Sequence, residues 1–346
     1  MSAEFLRNLW YFALPARALR KKQLVHKLLL GEPVLFGRTE AGEAFALRDI
    51  CPHRGVPLTA GRILEGTVEC PYHGWRFKPS GQCTFIPSLV GEEGVDAAKI
   101  RVRSYPVIER NGLIWIYMPQ DPAIEATLAA DIPVLPIAAN AMPRMIEAQM
   151  FPCEIDHAVM GLMDPAHGPF VHKAWWWRSA SSIHAKAKKY GPIPHGFTMI
   201  SHKPSSNSFL YKVLGGDVST EISFELPSVR IEHIKAGRHE IVGLTTCTPV
   251  TELETEVTQT FFWTMKWVAP FKPLFRQAAV AFMNQDRAMV ELQAKGLKFN
   301  PRLMLIQDAD VPAIWYHRLK KEWTSARSEG RAFVNPVPET TLRWRS

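Results

Sequence analysis

Short apolar runs broken by turn residues mark the first third of the chain. Leu28-Leu29-Leu30 and Pro33-Val34-Leu35-Phe36-Gly37 lead into a turn at Glu40-Ala41-Gly42 and then Phe45-Ala46-Leu47. Ser80-Gly81 makes a second turn after Trp75-Arg76-Phe77, and Asn111-Gly112 separates Ile100–Ile108 from Leu113-Ile114-Trp115-Ile116-Tyr117. Asn-Gly between apolar runs is the strongest short-range hairpin signal, since both residues tolerate positive φ. Apolar runs this short read as strands, so residues 1–119 are expected to form an all-β domain. Pro119-Gln120-Asp121-Pro122 then opens a stretch with Pro133, Pro136 and Pro143 and little periodicity. It reads as a connector lying over the surface, because Ile132, Val134, Leu135 and Ile137 need apolar cover. The boundary is expected near residue 120, with 120–346 as the second domain.

In that second part, strands are expected at Ser208–Leu214, Val218–Leu226, Val229–Lys235, Glu240–Thr248 and Thr255–Trp267, with turns at Gly215-Gly216-Asp217 and Ala236-Gly237. Arg276–Ala294 has helical periodicity. A last helix starts at Asp308–Pro312 and runs through Trp315, Leu319 and Trp323. The fold class is therefore α+β, an all-β domain followed by an antiparallel sheet with long helices.

Composition narrows the class little. At 346 residues, 47% hydrophobic and 21% charged, the chain is ordinary globular protein in two domains. The net charge of +8 is dispersed, with no run of five like charges, which argues against a nucleic-acid arm; it reads as a solvated surface, with docking of an acidic electron-donor protein as the functional alternative. No run of eighteen apolar residues exists to span a membrane. The start Met-Ser-Ala-Glu-Phe-Leu-Arg lacks the pattern of a secretory signal, so a cytoplasmic location is expected. The five cysteines, Cys51, Cys70, Cys83, Cys153 and Cys247, are scattered as in a reducing compartment.

Chemistry enters at Cys51-Pro52-His53-Arg54 and Cys70-Pro71-Tyr72-His73-Gly74-Trp75. Two thiolates and two imidazoles can close a tetrahedral zinc site or ligate a [2Fe–2S] centre. Zinc sites pair Cys with Cys and His with His at short spacing; here each Cys travels with its own His, and sixteen residues separate the pairs. That suits a binuclear cluster gripped from two loops. Arg54, Gly55, Pro57, Gly74 and Trp75 either shape and cover the cluster or serve as turn and core residues, and Cys83 reads as a buried small apolar residue.

A second cluster of donors lies at Asp164-Pro165-Ala166-His167-Gly168-Pro169-Phe170-Val171-His172. Two His and one carboxylate can hold Fe(II) with positions left open. Five residues along an unbroken helix turn one side chain about 140° from the other. The helix is therefore expected to break between the two His, at Gly168-Pro169. Asp164 would N-cap a helix with Pro165 at its first position.

With both clusters in view, the chain resembles the Rieske non-heme iron oxygenases, large (α) component, over nearly its whole length. The carriers are CxH…CxxH with its PHRG and PYHGW flanks, and Asp164-x-x-His167-x4-His172, which matches DxxHxxxxH. The resemblance implies a [2Fe–2S] cluster on Cys51, His53, Cys70 and His73, in a Rieske domain of residues 1–119. It implies Fe(II) on His167, His172 and a downstream carboxylate in a helix-grip domain of residues 120–346. Phe282–Glu291 resembles the segment carrying that carboxylate; Asp286 takes the position and Glu291 is the runner-up. Asp164 becomes the bridge to a cluster His of a neighbouring subunit in a head-to-tail homotrimer. Gly161 stands where relatives often have Asn.

Size, motif spacing and Asp308-Ala309-Asp310 resemble the vanillate O-demethylase and dicamba monooxygenase branch. That implies NAD(P)H electrons through a reductase or ferredoxin, and hydroxylation or O-demethylation of an apolar, aromatic substrate. Ring cis-dihydroxylation is the close alternative. An electron-transfer protein using the cluster alone, and a zinc-dependent binding module, are the competing classes. Trp175-Trp176-Trp177 either walls the pocket or sits in core or interface. His157, His184, His195 and His202 read as structural or exposed.

Overall fold

The computed structural model describes residues 5–90, 95–121, 132–172, 183–204 and 217–346. The chain divides into two compact units, one of Arg7–Ile132 and one that takes in Pro133–Ser346.

The first unit is all β, as its apolar runs predict. Its strands are β1 (Leu9–Pro15), β2 (Val25–Leu29), β3 (Glu32–Arg38), β4 (Ala44–Arg48), β5 (Arg62–Leu64), β6 (Thr67–Glu69), β7 (Arg76–Phe77), β8 (Cys83–Phe85), β9 (Ser104–Tyr105), β10 (Val107–Arg110) and β11 (Leu113–Met118). They form three antiparallel sheets, ordered β1-β11-β10, β2-β3-β4-β9 and β5-β6-β7-β8. Asn111 and Gly112 both have positive φ, which matches the twist of the β10–β11 hairpin they join. Leu35, Leu47, Leu58, Val68, Phe77, Cys83 and Val102 build one buried cluster, and Cys51 and Cys70 belong to it. The two loops that carry the candidate ligands are thereby seated on packed core.

The second unit has an eight-stranded antiparallel sheet. Its strands are β12 (Met145–Phe151), β13 (Ala185–Ile193), β14 (Gly196–His202), β15 (Val218–Glu225), β16 (Val229–Ala236), β17 (His239–Thr251), β18 (Glu254–Trp263) and β19 (Thr340–Arg345), in the order β12-β18-β17-β16-β15-β14-β13-β19. Among the described residues the α-helices are Ile155–Met163, the single turn Gly168–Val171, the long Lys272–Leu297 and the last, Val311–Ser328. Proline stands in the first turn of the last three, where its missing N–H goes unneeded.

Residues paired directly across antiparallel strands share a face. One such row runs Phe197–Phe224–Arg230–Thr245–Gln259–Glu147. Phe197 packs on Trp315 at 5.2 Å and Phe224 on Tyr316 at 5.6 Å, while Glu147 accepts from Arg276 at 2.7 Å. The row therefore faces both long helices. A polar tie also joins the first and last helices: the Asp156 carboxylate accepts from the Tyr316 hydroxyl at 2.8 Å and pairs with Lys320.

Two sequence expectations need correction. The helix does not break between His167 and His172: it ends at Met163, and Gly168–Val171 is itself a helical turn with the two His flanking it. Pro169 starts that turn rather than stopping one. Asp164 is likewise not an N-cap; it is the C-cap residue of the preceding helix. The expected strand Ser208–Leu214 and Trp175–Trp177 lie outside the described residues.

Candidate metal centres

The two loops of the first unit are built alike. Cys51 N–H donates to Val56 O at 2.9 Å, and Cys51 O accepts from Gly55 N–H at 2.8 Å. Cys70 repeats both bonds, to Trp75 O at 2.8 Å and from Gly74 N–H at 3.1 Å. Closing each loop in this way puts a residue at positive φ four positions after the Cys, which is why glycine stands there twice. At Gly74 a Cβ would also come within 3.0 Å of Pro87 Cγ. A third device steadies the first loop. The buried Asp49 accepts from Thr59 N–H at 2.8 Å and Thr59 Oγ1 at 2.6 Å, tying down both ends of the loop, and pairs with His26 Nδ1 at 2.6 Å.

The donors separate by element. The Cys51 and Cys70 thiols are buried and interact with each other. The His53 and His73 rings lie 4.5 Å apart, with Trp75 stacked flat on His53 at 4.8 Å and Tyr72 against His73. Burial pushes the Cys51 thiol up to about 11, a proton that ligation would displace. A single zinc ion with bonds of about 2.0–2.3 Å requires all four donors within roughly 4 Å of one another. Among the described residues, the one group of three or more His, Cys, Asp or Glu whose ligand atoms all fall within 4.8 Å lies in the other unit. These four donors spread too far for one ion. Sulfur on one side and imidazole on the other fits a two-iron cluster. The buried Trp75 Nε1 has no acceptor among the described residues, and a cluster sulfide is an acceptor of the kind it lacks.

The convergent group is His167, His172 and Asp286. His167 and His172 come from either side of the Gly168–Val171 turn, and Asp286 from the middle of the long helix. The Nε2 atoms of the two His are 3.2 Å apart, and Asp286 Oδ1 lies 3.8 Å from the first and 3.5 Å from the second. Two ligands at about 2.1 Å from one ion and at right angles would be about 3 Å apart.

Tautomers complete the case. His167 Nδ1 donates to Asp164 O at 2.8 Å, and His172 Nδ1 donates to Gln285 Oε1 at 3.1 Å. Both protons are thus on Nδ1, leaving two Nε2 lone pairs and a carboxylate oxygen aimed at one point. Such a set repels itself unless a cation sits between its members. Burial keeps His172 below the ordinary histidine value, so its imidazole is neutral and ready to ligate; burial pushes the Asp286 carboxyl up, against the pull of His172, His167 and Arg230. The residues fit a mononuclear iron with open positions.

Asp164 anchors the approach: its Oδ1 accepts from Ala166 N–H at 2.6 Å, and its Oδ2 lies 3.7 Å from His167 Nδ1. Glu291 does not join the group; it pairs with Arg287 one turn away, at 2.9 Å. Among the remaining His, His195 packs against Trp323 and Phe333. Gln285 and Asp49 have no signal in the sequence, since a glutamine in a helix and an aspartate after a strand are commonplace until the fold shows what they touch.

Comparison with known proteins agrees with both units. Residues 9–106 match the Rieske [2Fe-2S] domain, and residues 153–326, over half of the chain, match the vanillate O-demethylase oxygenase C-terminal domain. The oxygenase component of dicamba O-demethylase from Stenotrophomonas maltophilia is 38% identical over 171 residues, 49% of this chain and 48% of the relative. The iron-sulfur subunit TsaM1 of the toluene-4-sulfonate monooxygenase system from Comamonas testosteroni is 45% identical over 119 residues, 34% of this chain and 33% of the relative. These matched stretches span half or less of the curated relatives' lengths. The crystal structure of dicamba monooxygenase bound to dicamba superposes with a TM-score of 0.78 at 25% identity, covering 94% of this chain and all of that one. The cofactors that go with the two domains are a Rieske [2Fe–2S] cluster and a mononuclear non-heme iron. The chain belongs to the Rieske non-heme iron oxygenases, in the branch with the vanillate O-demethylase type of C-terminal domain.

Proposed function

We propose that this protein is the terminal oxygenase of a multicomponent system, hydroxylating or O-demethylating an apolar aromatic substrate. The observation that carries the reading is the convergence of His167, His172 and Asp286 on one point, in a chain that also has a Rieske domain. A Rieske carrier alone would leave that convergence without purpose. When bound, the cluster supplies electrons one at a time, and ferrous iron with open positions activates dioxygen.

The chain's own residues divide the work. Cys51 and Cys70 present thiolates and His53 and His73 present imidazoles, the set we assign to the cluster in residues 1–119. His167, His172 and Asp286 are the assigned iron ligands in residues 120–346, with Asp164 O and Gln285 Oε1 fixing the two tautomers. Asp164, whose Oδ2 lies 3.7 Å from His167 Nδ1, is the residue we assign as electron bridge to the neighbouring subunit of a head-to-tail homotrimer, a closed heterologous ring. Electrons come from NAD(P)H through a separate reductase or ferredoxin. Five buried cysteines without a disulfide fit a reducing cytoplasm, and among the described residues no helix is long and apolar enough to cross a membrane.

The test is iron stoichiometry together with turnover. The purified protein should hold about three irons per chain, and with a surrogate reductase it should release formaldehyde from methoxylated aromatics only with O₂ present. His172→Ala should keep the visible cluster spectrum, fall to about two irons and lose turnover. A wild-type protein with two irons and no oxygenation under any reconstitution would reduce the molecule to an electron carrier; diols without formaldehyde would redirect the reading to ring dihydroxylation.

A further inference from the structure

The large sheet has a second face, turned away from the long helices and so from the helix that carries Asp286. Along β15, Phe224 packs on Tyr316 of the last helix, so Glu221, Ser223 and Glu225 alternate onto the other side. Their cross-strand partners share that side. Thr198 stands opposite Ser223 on β14, and on β16 Ile231 and His233 stand opposite Ser223 and Glu221. These side chains line a cavity of about 270 Å³ within the second unit. Its remaining walls are Val134 and Pro136, from the segment before β12, and Ile193 and Pro194 at the end of β13.

The cavity is negative and short of partners. In a chain of net charge +8, two glutamates line it and no lysine or arginine does. Glu221 accepts from Thr198 Oγ1 at 3.3 Å. Glu225 has no hydrogen bond or ion pair among the described residues, and burial alone pushes its carboxyl up. His233 Nε2 is buried and lacks a hydrogen-bond partner among the described residues, with Glu240 Oε2 3.9 Å away. Burial first, and then the charge of Lys235, hold that imidazole below the ordinary histidine value, so it brings no positive charge to the glutamates. A carboxylate taken from water without a partner is costly, and such groups are normally met by a donor or a cation.

The walls define what that partner is. A metal ion stripped of water draws its donors together. Among the described residues, the one group of three or more His, Cys, Asp or Glu with ligand atoms within 4.8 Å is His167, His172 and Asp286. Glu221 and Glu225 are four residues apart on one strand, so their Cα atoms stand roughly 13 Å apart at 3.3 Å per residue. An elongated molecule suits that spacing better than a single ion. Pro136, Pro194 and Ile231 offer apolar wall for a carbon chain, and the volume falls just under the range for drug-sized ligands.

We infer that this cavity binds a small organic ammonium ion, with Glu225 holding its charged nitrogen and Glu221 holding a second where the molecule carries one. The site lies on the opposite face of the sheet from the iron ligands, and it stands or falls independently of the oxygenase reading.

Calorimetry on the iron-loaded protein tests it. The probes are pentane-diamine with an amine at each end, pentylamine and pentanol, with Mg²⁺ and Ca²⁺ beside them. The diamine should bind about ten-fold or more tighter than the alcohol, with pentylamine between them, since a charge-assisted hydrogen bond is the stronger kind. Glu225→Gln should bring both amines to the level of the alcohol. Glu221→Gln should reduce the diamine to the level of pentylamine and leave pentylamine unchanged. Because it removes an unpaired buried charge, Glu225→Gln should unfold at the wild-type denaturant midpoint or a higher one. A carboxylate bound into the fold would lower that midpoint, and such a fall would overturn the assignment. His172→Ala should still bind the amines, which separates the cavity from amine ligation at iron. Alcohol binding as tightly as the amines, amine binding lost altogether in His172→Ala, Mg²⁺ or Ca²⁺ held by Glu225 more tightly than the diamine, or no amine binding up to millimolar concentration would each overturn it as well.

Discussion

A histidine ligand is decided at both of its nitrogens. At His172 the inner nitrogen is free for metal because the outer one is tied to Gln285, 113 residues away in sequence. Leucine at 285 keeps the bulk and removes the acceptor, so the ring can rotate and change tautomer. Gln285→Leu is expected to lower ferrous affinity by about ten- to hundred-fold, the usual effect of losing such a partner, while the visible spectrum of the cluster is unchanged. Competition with a ferrous chelator measures it, and affinity within two-fold of wild type would remove Gln285 from the site. The candidate ligands were legible as candidates because their type and spacing carry the chemistry, and the fold brings His167, His172 and Asp286 together. Gln285 and Asp49 were not, because their importance lies in contacts that only the folded chain makes. The geometry between His167 and His172 was legible only in part: a proline that could end one helix started another turn instead, and the two His meet from its two ends.

Elements were legible where one face is buried and the other wet, and hidden where that contrast fails. The hairpin at Asn111-Gly112 and the four strands from β15 to β18 follow their patterns, with β17 and β18 shifted by a few residues at their ends. β13, Ala-Lys-Ala-Lys-Lys-Tyr-Gly-Pro-Ile, has few strand-forming residues and is held by neighbours on both sides, including β19 from the far end of the chain. Nothing local announces it. The last helix was legible through its tryptophans, and Trp315 is fully buried against Tyr190 and Phe197. Trp315→Ala should cost about 3–5 kcal/mol, the range for emptying a large aromatic site, read as a shift in the denaturant midpoint of the second unit. A loss below about 1 kcal/mol would mean the helix is not packed as described. In the first unit the test is acid. Burial alone would raise Glu32, but the Tyr105 hydroxyl at 2.5 Å with Arg7 and Arg103 holds its carboxyl below the ordinary value. A depressed carboxylate lends stability above its unfolded value, near 4.5, that is lost as pH falls through the folded one. Glu32→Gln should therefore destabilise this unit at pH 7 and make progressively less difference as pH is lowered from about 4.5 through the folded carboxyl's own lower value, with unfolding followed by circular dichroism. A loss that stays constant over that fall would show that the network acts through shape rather than charge.

For the molecule as a whole, the proposed coupling of two centres through Asp164 is the step to test, and the chemistry of that residue lets charge be separated from shape. Its Oδ1 caps a turn by accepting Ala166 N–H, its backbone oxygen orients His167, and its Oδ2 stands 3.7 Å from the same ring. Asparagine keeps a side-chain oxygen for the first role and the backbone for the second, and removes only the negative charge. Asp164→Asn should thus hold about three irons, unfold at the wild-type midpoint and show the wild-type cluster spectrum. If the carboxylate couples the centres between subunits, reoxidation of a chemically reduced cluster by O₂ with substrate present should slow by ten-fold or more in stopped-flow absorbance. Chelating the mononuclear iron from the wild type should slow it similarly and without further effect in the variant, since both interruptions lie on one route. Reoxidation at the wild-type rate in Asp164→Asn, with iron content intact, would place the route elsewhere and leave Asp164 as the residue that shapes the turn before His167.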